Sequence, residues 1–132
     1  MRIVLDSSVI VAAFAAHGLC EAILELCLGS HQLLVSEDLL DEVRTNLRKK
    51  LKLPAATTDN IIALLRENGI IIEPAAVPRN SCRDPNDLHV LGLAAGGQAS
   101  FLVTGDKDLL AVAEFKGCAI VTPRQFAAII HK

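Results

Sequence analysis

The strongest constraint on the fold is an alternation between short apolar runs and longer stretches with helical periodicity. RIVL (2–5), HQLLVS (31–36), residues 70–72, SFLVT (100–104) and CAIVT (118–122) are too short for helices. They are also too uniformly apolar for strands with one wet face, so they read as strands buried on both sides. Between them lie expected helices over 8–16, 20–28 (bounded by Gly18 and Gly29), 36–53, 57–68, 85–95, 105–115 and 123–131. Ser36 caps the third of these, and its Leu39, Val43, Leu47 and Leu51 recur every four residues. Thr57 or Thr58 opens the fourth, which stops at Asn68-Gly69, and the last turns Phe126, Ile129 and Ile130 inward. Residues 74–86, rich in Pro, Arg and Asn, read as a surface loop. The pattern predicts an α/β fold, a three-layer α/β/α sandwich around a parallel sheet of about five strands. With 132 residues, 52% of them hydrophobic, the chain suits one domain over 1–132 and is too apolar for disorder.

In parallel sheets of this kind the ligand crevice lies beyond the carboxyl ends of the strands, where the winding direction reverses. Acidic residues stand at those ends. Asp6-Ser7-Ser8 follows the first strand, and Glu37, Asp38, Asp41 and Glu42 follow the second. Asp84-Pro85-Asn86-Asp87 opens the helix before the fourth strand, and Thr104-Gly105-Asp106-Lys107-Asp108 follows that strand. Each acid has an ordinary explanation. Asp6, Asp84 and Asp106 sit where helix N-caps belong, Asp87 sits where a capping-box acid would, and Pro85 suits a first helical position. Glu42 lies off the apolar stripe of its helix, where a solvated acid is the default.

Capping does not explain the convergence. Carboxylates brought together repel one another, which raises some of their pKa values and lowers stability. A hard divalent cation with oxygen ligands relieves that cost, and Mg²⁺ suits a site with few carboxylates and a substrate phosphate. Such ions activate water and shield the leaving oxygen in phosphodiester cleavage. Thirteen basic and fifteen acidic residues give a net charge of −2, unlike a typical nucleic-acid binder. With four acids assigned to one pocket, eleven remain against thirteen basic residues, and the rest of the surface is +2. No GxSxG motif or matched Cys–His pair offers a covalent nucleophile. Cys20, Cys27, Cys82 and Cys118 lack zinc spacing and read as reduced, inert thiols. Asp6 interrupts the apolar N-terminus, which argues against a signal peptide; no run of about 18 apolar residues would cross a membrane, so the expected location is cytoplasmic.

The strings VLDSSVI, SEDLLDEV, RDPNDLHVLGLA, LVTGDKDLL and IVTPRQF, in that order and spacing, resemble the PIN-domain family from Arg2 to about Phe126. The branch they resemble most is that of the VapC-like toxins of prokaryotic toxin–antitoxin systems. The resemblance implies an α/β/α sandwich and a Mg²⁺- or Mn²⁺-dependent endoribonuclease that leaves 5′-phosphate and 3′-hydroxyl ends. It places the catalytic acids on Asp6, Glu42, Asp87 and Asp106, and the metal ligands on Asp6, Asp87, Asp106 and Asp108. Ser7 or Ser8, Asp84 and Thr104 support them, the hydroxyls fixing carboxylate rotamers. Asp6 and Asp106 would hold the principal ion, with Asp87 a direct or water-mediated ligand. Glu42 and Asp108 would orient waters or hold a second ion. The branch further implies a homodimer and an inhibitory antitoxin protein.

An RNA substrate needs cations near the acids. Arg44, Arg48 and Lys49, in a basic run that continues through Lys50 and Lys52, are one candidate set, although charges matched to a helix dipole explain them equally. Arg79 and Arg83 are another. Without Trp or Tyr, recognition rests on backbone shape and charge or on an exposed RNA loop. His89, after Asp87, reads as a surface or packing residue, since metal histidines come in sets. The rival readings are a non-catalytic PIN-fold module binding RNA or protein, a phospho-acceptor domain and a DNA or flap nuclease. The phospho-acceptor class is disfavoured because the last strand ends in Thr122-Pro123-Arg124 without the lysine that class needs.

Overall fold

The computed structural model describes residues 1–131; the last residue of the expected domain lies outside them. Its strands are β1 (Arg2–Leu5), β2 (Gln32–Val35), β3 (Ile70–Ile71), β4 (Phe101–Val103), β5 (Glu114–Phe115) and β6 (Cys118–Val121). The helices are α1 (Ser7–Ala15), α2 (Leu19–Ser30), α3 (Glu37–Lys49), α4 (Ala55–Asn68), α5 (Leu88–Gly96), α6 (Lys107–Val112) and α7 (Pro123–Ile130). They form a three-layer α/β/α sandwich around one sheet of order β3-β2-β1-β4-β6-β5.

The first five positions of that order are parallel and β5 is antiparallel to β6. The five parallel strands match the expected sheet, and β5 adds a sixth, reversed, at its edge. The extra strand comes from the sequence read as a helix through residue 115. Its chain turns at Lys116 (φ 52°) and Gly117 (φ 83°), a two-residue turn with both φ positive that matches the twist of a hairpin.

Strand order reverses direction at β1. The chain runs outward through β2 and β3, then returns to place β4 on the other side of β1. Right-handed crossovers consequently put α1–α4 on one face and α5 and α6 on the other. Helix contacts agree: α1 packs on α2 and α3, α3 on α4, and α5 on β1 and β2. Ile3, Val4, Leu5, Leu33, Leu34, Val35, Leu102 and Val103 are fully buried or nearly so, which explains why these strands read as unbroken apolar runs.

Several helix ends differ from expectation. The fourth helix starts at Ala55, directly after Pro54, and Thr58 is buried with its amide on the Pro54 carbonyl. Residues Pro85–Asp87 form a 3₁₀ turn before α5. On α7, Phe126 is fully buried edge-on against Phe101 (ring centroids 5.7 Å), whereas Ile129 stays 38% exposed. Ile130 packs against the core beside that ring, as expected. Cys27, Cys82 and Cys118 are buried and all four cysteines are free; burial pushes the Cys27 and Cys118 thiols up to about 12, which suits inert packing. Among the described residues no single helix is long and apolar enough to cross a membrane.

Candidate active site

The parallel register pairs Leu5 with Val103, so Asp6 and Thr104 leave the sheet side by side at the point where the winding reverses. The Asp6 amide still bonds the Val103 carbonyl (3.0 Å) while its extended backbone caps α1. Asp6 is 5% exposed, and both carboxylate oxygens are held. Oδ1 accepts from the Ser7 amide (2.8 Å); Oδ2 accepts from Thr104 Oγ1 (2.8 Å) and Ser8 Oγ (3.2 Å). Burial raises the Asp6 pKa, opposed chiefly by the Thr104 hydrogen bond. Thr104 Oγ1 also accepts from the Asp106 amide (3.0 Å), so one buried hydroxyl ties the first acid to the fourth. Asp106 caps α6, accepting from the Leu109 amide at 3.0 Å.

Capping and convergence coexist here. Asp6, Asp84 and Asp106 each cap a helix as expected, Asp84 by accepting from the Asn86 amide (3.0 Å). The capping box expected of Asp87 does not form through its side chain: Asp87 Oδ2 is buried without a partner. Burial, followed by Asp106, Asp84 and Asp6, pushes Asp87 up to about 7. That is the repulsion anticipated for gathered carboxylates. One oxygen each from Asp84, Asp87 and Asp108 lies within 4.8 Å of the others, a grouping able to hold a metal ion. Asp84, expected in support, groups here with the expected ligands Asp87 and Asp108, while Asp106 acts on Asp87 by hydrogen bond and charge and Asp6 by charge.

Glu42 is not a freely solvated acid. Ser7 Oγ donates a short hydrogen bond to Oε1, and His89 Nε2 lies 2.9 Å from Oε2. The His89 hydrogen bond holds the Glu42 carboxyl below its usual range, and Glu42 in turn raises His89. Because α3 and α5 lie on opposite faces, this pair bridges the two helical layers over the rim of the sheet. His89 was read as surface or packing; its partner lies 47 residues away, and no local spacing could have revealed it.

The candidate cations divide. Arg44 is drawn toward Asp41 (3.9 Å) and Asp59 (4.0 Å). Arg48 and Lys49 lie at the exposed end of α3, about 10 Å along its axis from Glu42 at 1.5 Å per residue. Arg83, exposed, stands directly beside Asp84.

The donors fit a hard divalent cation. They are all carboxylate oxygens, one is buried and unpartnered, and their mutual repulsion is already visible at Asp87. The family profile of the PIN domain matches residues 2–108. The chain belongs to the PIN-domain family. The PIN fold is shared by two solved structures. VapBC2 from Rickettsia felis, crystallised bound to a DNA fragment from their promoter, has a TM-score of 0.61 at 15% identity, covering 92% of this chain and 98% of that one. PAE2754 from Pyrobaculum aerophilum has a TM-score of 0.63 at 17% identity, covering 100% of this PIN chain and 91% of its own. No curated protein matches the sequence.

Proposed function

We propose that this PIN domain is a metal-dependent endoribonuclease, acting in the cytoplasm as the toxin of a toxin–antitoxin pair. One observation carries the reading. Acids from four separate segments meet at the β1/β4 switch point, where burial first, and then the neighbouring Asp106, Asp84 and Asp6, push Asp87 up to about 7. Nothing in packing alone requires that arrangement, and a Mg²⁺ or Mn²⁺ ion relieves it.

Asp84, Asp87 and Asp108 would hold the ion, with Asp6 and Asp106 adding charge or joining the ligand set. When bound, such an ion supplies charge neutralisation for the scissile phosphate and activation of the attacking water. The chain's own contribution is orientation. Thr104 and Ser8 fix the Asp6 rotamer, and Thr104 fixes the Asp106 backbone. Ser7 and His89 hold both oxygens of Glu42, which keeps it ionised and aligned to orient a water at the rim. Arg44, Arg48, Lys49 and Arg83 are the proposed backbone contacts. The fold shared with VapBC2 supports an antitoxin protein as one partner; a second copy of the chain is the other.

The test is purified protein with structured and single-stranded RNA and DNA, in Mn²⁺, in Mg²⁺ and in EDTA. RNA cleavage that disappears in EDTA and in Asp6→Asn and Asp106→Asn supports the reading. Cleavage equal in the variants would remove it.

A further inference from the structure

Beside the acid trio lies a cavity of about 340 Å³ lined by Arg79, Arg83, Pro85 and Leu88. We infer that it is a nucleotide subsite for single-stranded RNA, with a phosphate on the two guanidiniums and the adjoining base against Pro85 and Leu88. The inference rests on the nuclease reading and adds the place where the strand next to the scissile bond is gripped.

Position is the first argument. Pro85 lies between Asp84 and Asp87 in a single 3₁₀ turn, and Leu88 follows Asp87 directly, so one short stretch carries both cavity lining and two of the carboxylates that would hold the ion. A strand whose phosphate sits on the acids has its neighbouring nucleotide within reach of this wall.

Charge is the second. Arg83 stands beside Asp84, and five carboxylates lie at the same rim. Yet among the described residues no ion pair joins Arg79 or Arg83 to any acid; the pairs formed involve His17, Arg44, Arg66 and His89. Asp84 faces the Asn86 amide and the trio instead. Two guanidiniums close to acids but unpaired remain available to an anion. Arginine forks suit phosphate, and their planes stack on bases, a role that a chain without Trp or Tyr has to fill otherwise.

Shape and support are the third. The volume is at the low end of the roughly 300–1,000 Å³ of small-ligand pockets, and its walls combine cations with apolar carbons. A base can enter only if splayed from its neighbours, which a duplex resists and a single strand allows. The start of the loop carrying the arginines is pinned to α5: the Ala75 amide bonds the Gly92 carbonyl (2.9 Å), and the Ser81 amide closes a turn on Pro78 (3.0 Å).

The experiment is fluorescence anisotropy of a short labelled oligoribonucleotide in EDTA over a salt series, with wild type and Arg79→Ala/Arg83→Ala. Loss of the phosphate contact predicts at least tenfold weaker binding and a log–log salt slope smaller by about 0.7, at ~0.7 per phosphate contacted on single strands. Adenosine monophosphate should displace the RNA at lower concentration than either adenosine or inorganic phosphate. Arg79→Lys/Arg83→Lys should keep the salt slope, and Leu88→Ala should lose that nucleotide advantage. Unchanged affinity and slope in the alanine variant, or phosphate competing as well as the nucleotide, overturns the subsite. Cleavage of the same oligonucleotide by wild type in Mn²⁺ tests the parent reading separately. Arginine-dependent binding without cleavage leaves the subsite and sinks the nuclease; cleavage with arginine-independent binding does the reverse.

Discussion

His89 Nε2 stands 2.9 Å from Glu42 Oε2, and Ser7 holds the other Glu42 oxygen, so one carboxylate joins the start of α1, the middle of α3 and the start of α5. Glu42 is depressed below 4.5 and His89 raised above 6.5, each mainly by their mutual hydrogen bond. The Glu42 contribution is present above 4.5 and fades as pH falls through its lower folded value. The His89 contribution is complete below 6.5 and fades as pH rises through its higher folded value. His89→Ala should therefore cost most between pH 4.5 and 6.5. The cost should be about 1–2 kcal/mol, because Glu42 is 37% exposed and partly screened. Urea denaturation at pH 5.5 and 9 checks this; an equal cost at both values contradicts it.

Asp87 slopes in the same direction as His89 and against Glu42. Its folded pKa, about 7, lies above the ordinary 3.8, so metal-free protein should lose stability as pH rises from about 4 through about 7. Thermal melts in EDTA at pH 5 and 8 should show a larger fall in wild type than in Asp87→Asn, where only the His89 share remains. Added Mn²⁺ should restore wild type at pH 8 and leave the variant little changed.

Thr104 is fully buried and serves two acids with one hydroxyl. Thr104→Val keeps the shape but leaves Asp6 Oδ2 with only the longer Ser8 bond and strands the Asp106 amide. The expected losses are about 1–3 kcal/mol of stability and about 10–100-fold in cleavage. Thr104→Ser should recover most of both, measured by urea denaturation and initial rates.

Gly92 seats the loop that carries Arg79 and Arg83. A Cβ there would stand 2.5 Å from the Ala75 carbonyl oxygen, a backbone atom that cannot swing aside. Gly92→Ala should cost about 1–3 kcal/mol by overpacking, despite alanine's better helix propensity. An unchanged urea midpoint would show that the loop yields freely.

The parts legible in the sequence were those set by local chemistry. Apolar runs gave β1, β2, β4 and β6 because strands buried on both faces leave no polar alternation, and Asp6 and Asp106 were visible as caps at strand exits. Resemblance picked Glu42 out of four neighbouring acids, although its wheel position pointed to solvent. The missing parts depend on distant segments. His89 needs Glu42, 47 residues away, and Gly92 needs the Ala75 carbonyl. The β5–β6 hairpin was hidden by a helix-like run and shows only in the positive φ values of Lys116 and Gly117. The grouping of Asp84 with Asp87 and Asp108 depends on side-chain direction in a 3₁₀ turn that periodicity does not describe.

The central claim is that these carboxylates are gathered to hold a divalent ion. Its most direct test is calorimetric titration of Mn²⁺ into wild type, Asp87→Asn and Asp108→Asn without nucleic acid. Saturable binding in wild type, weakened at least tenfold in both variants, is the predicted result. Absent binding in wild type, or equal binding in all three proteins, would contradict it.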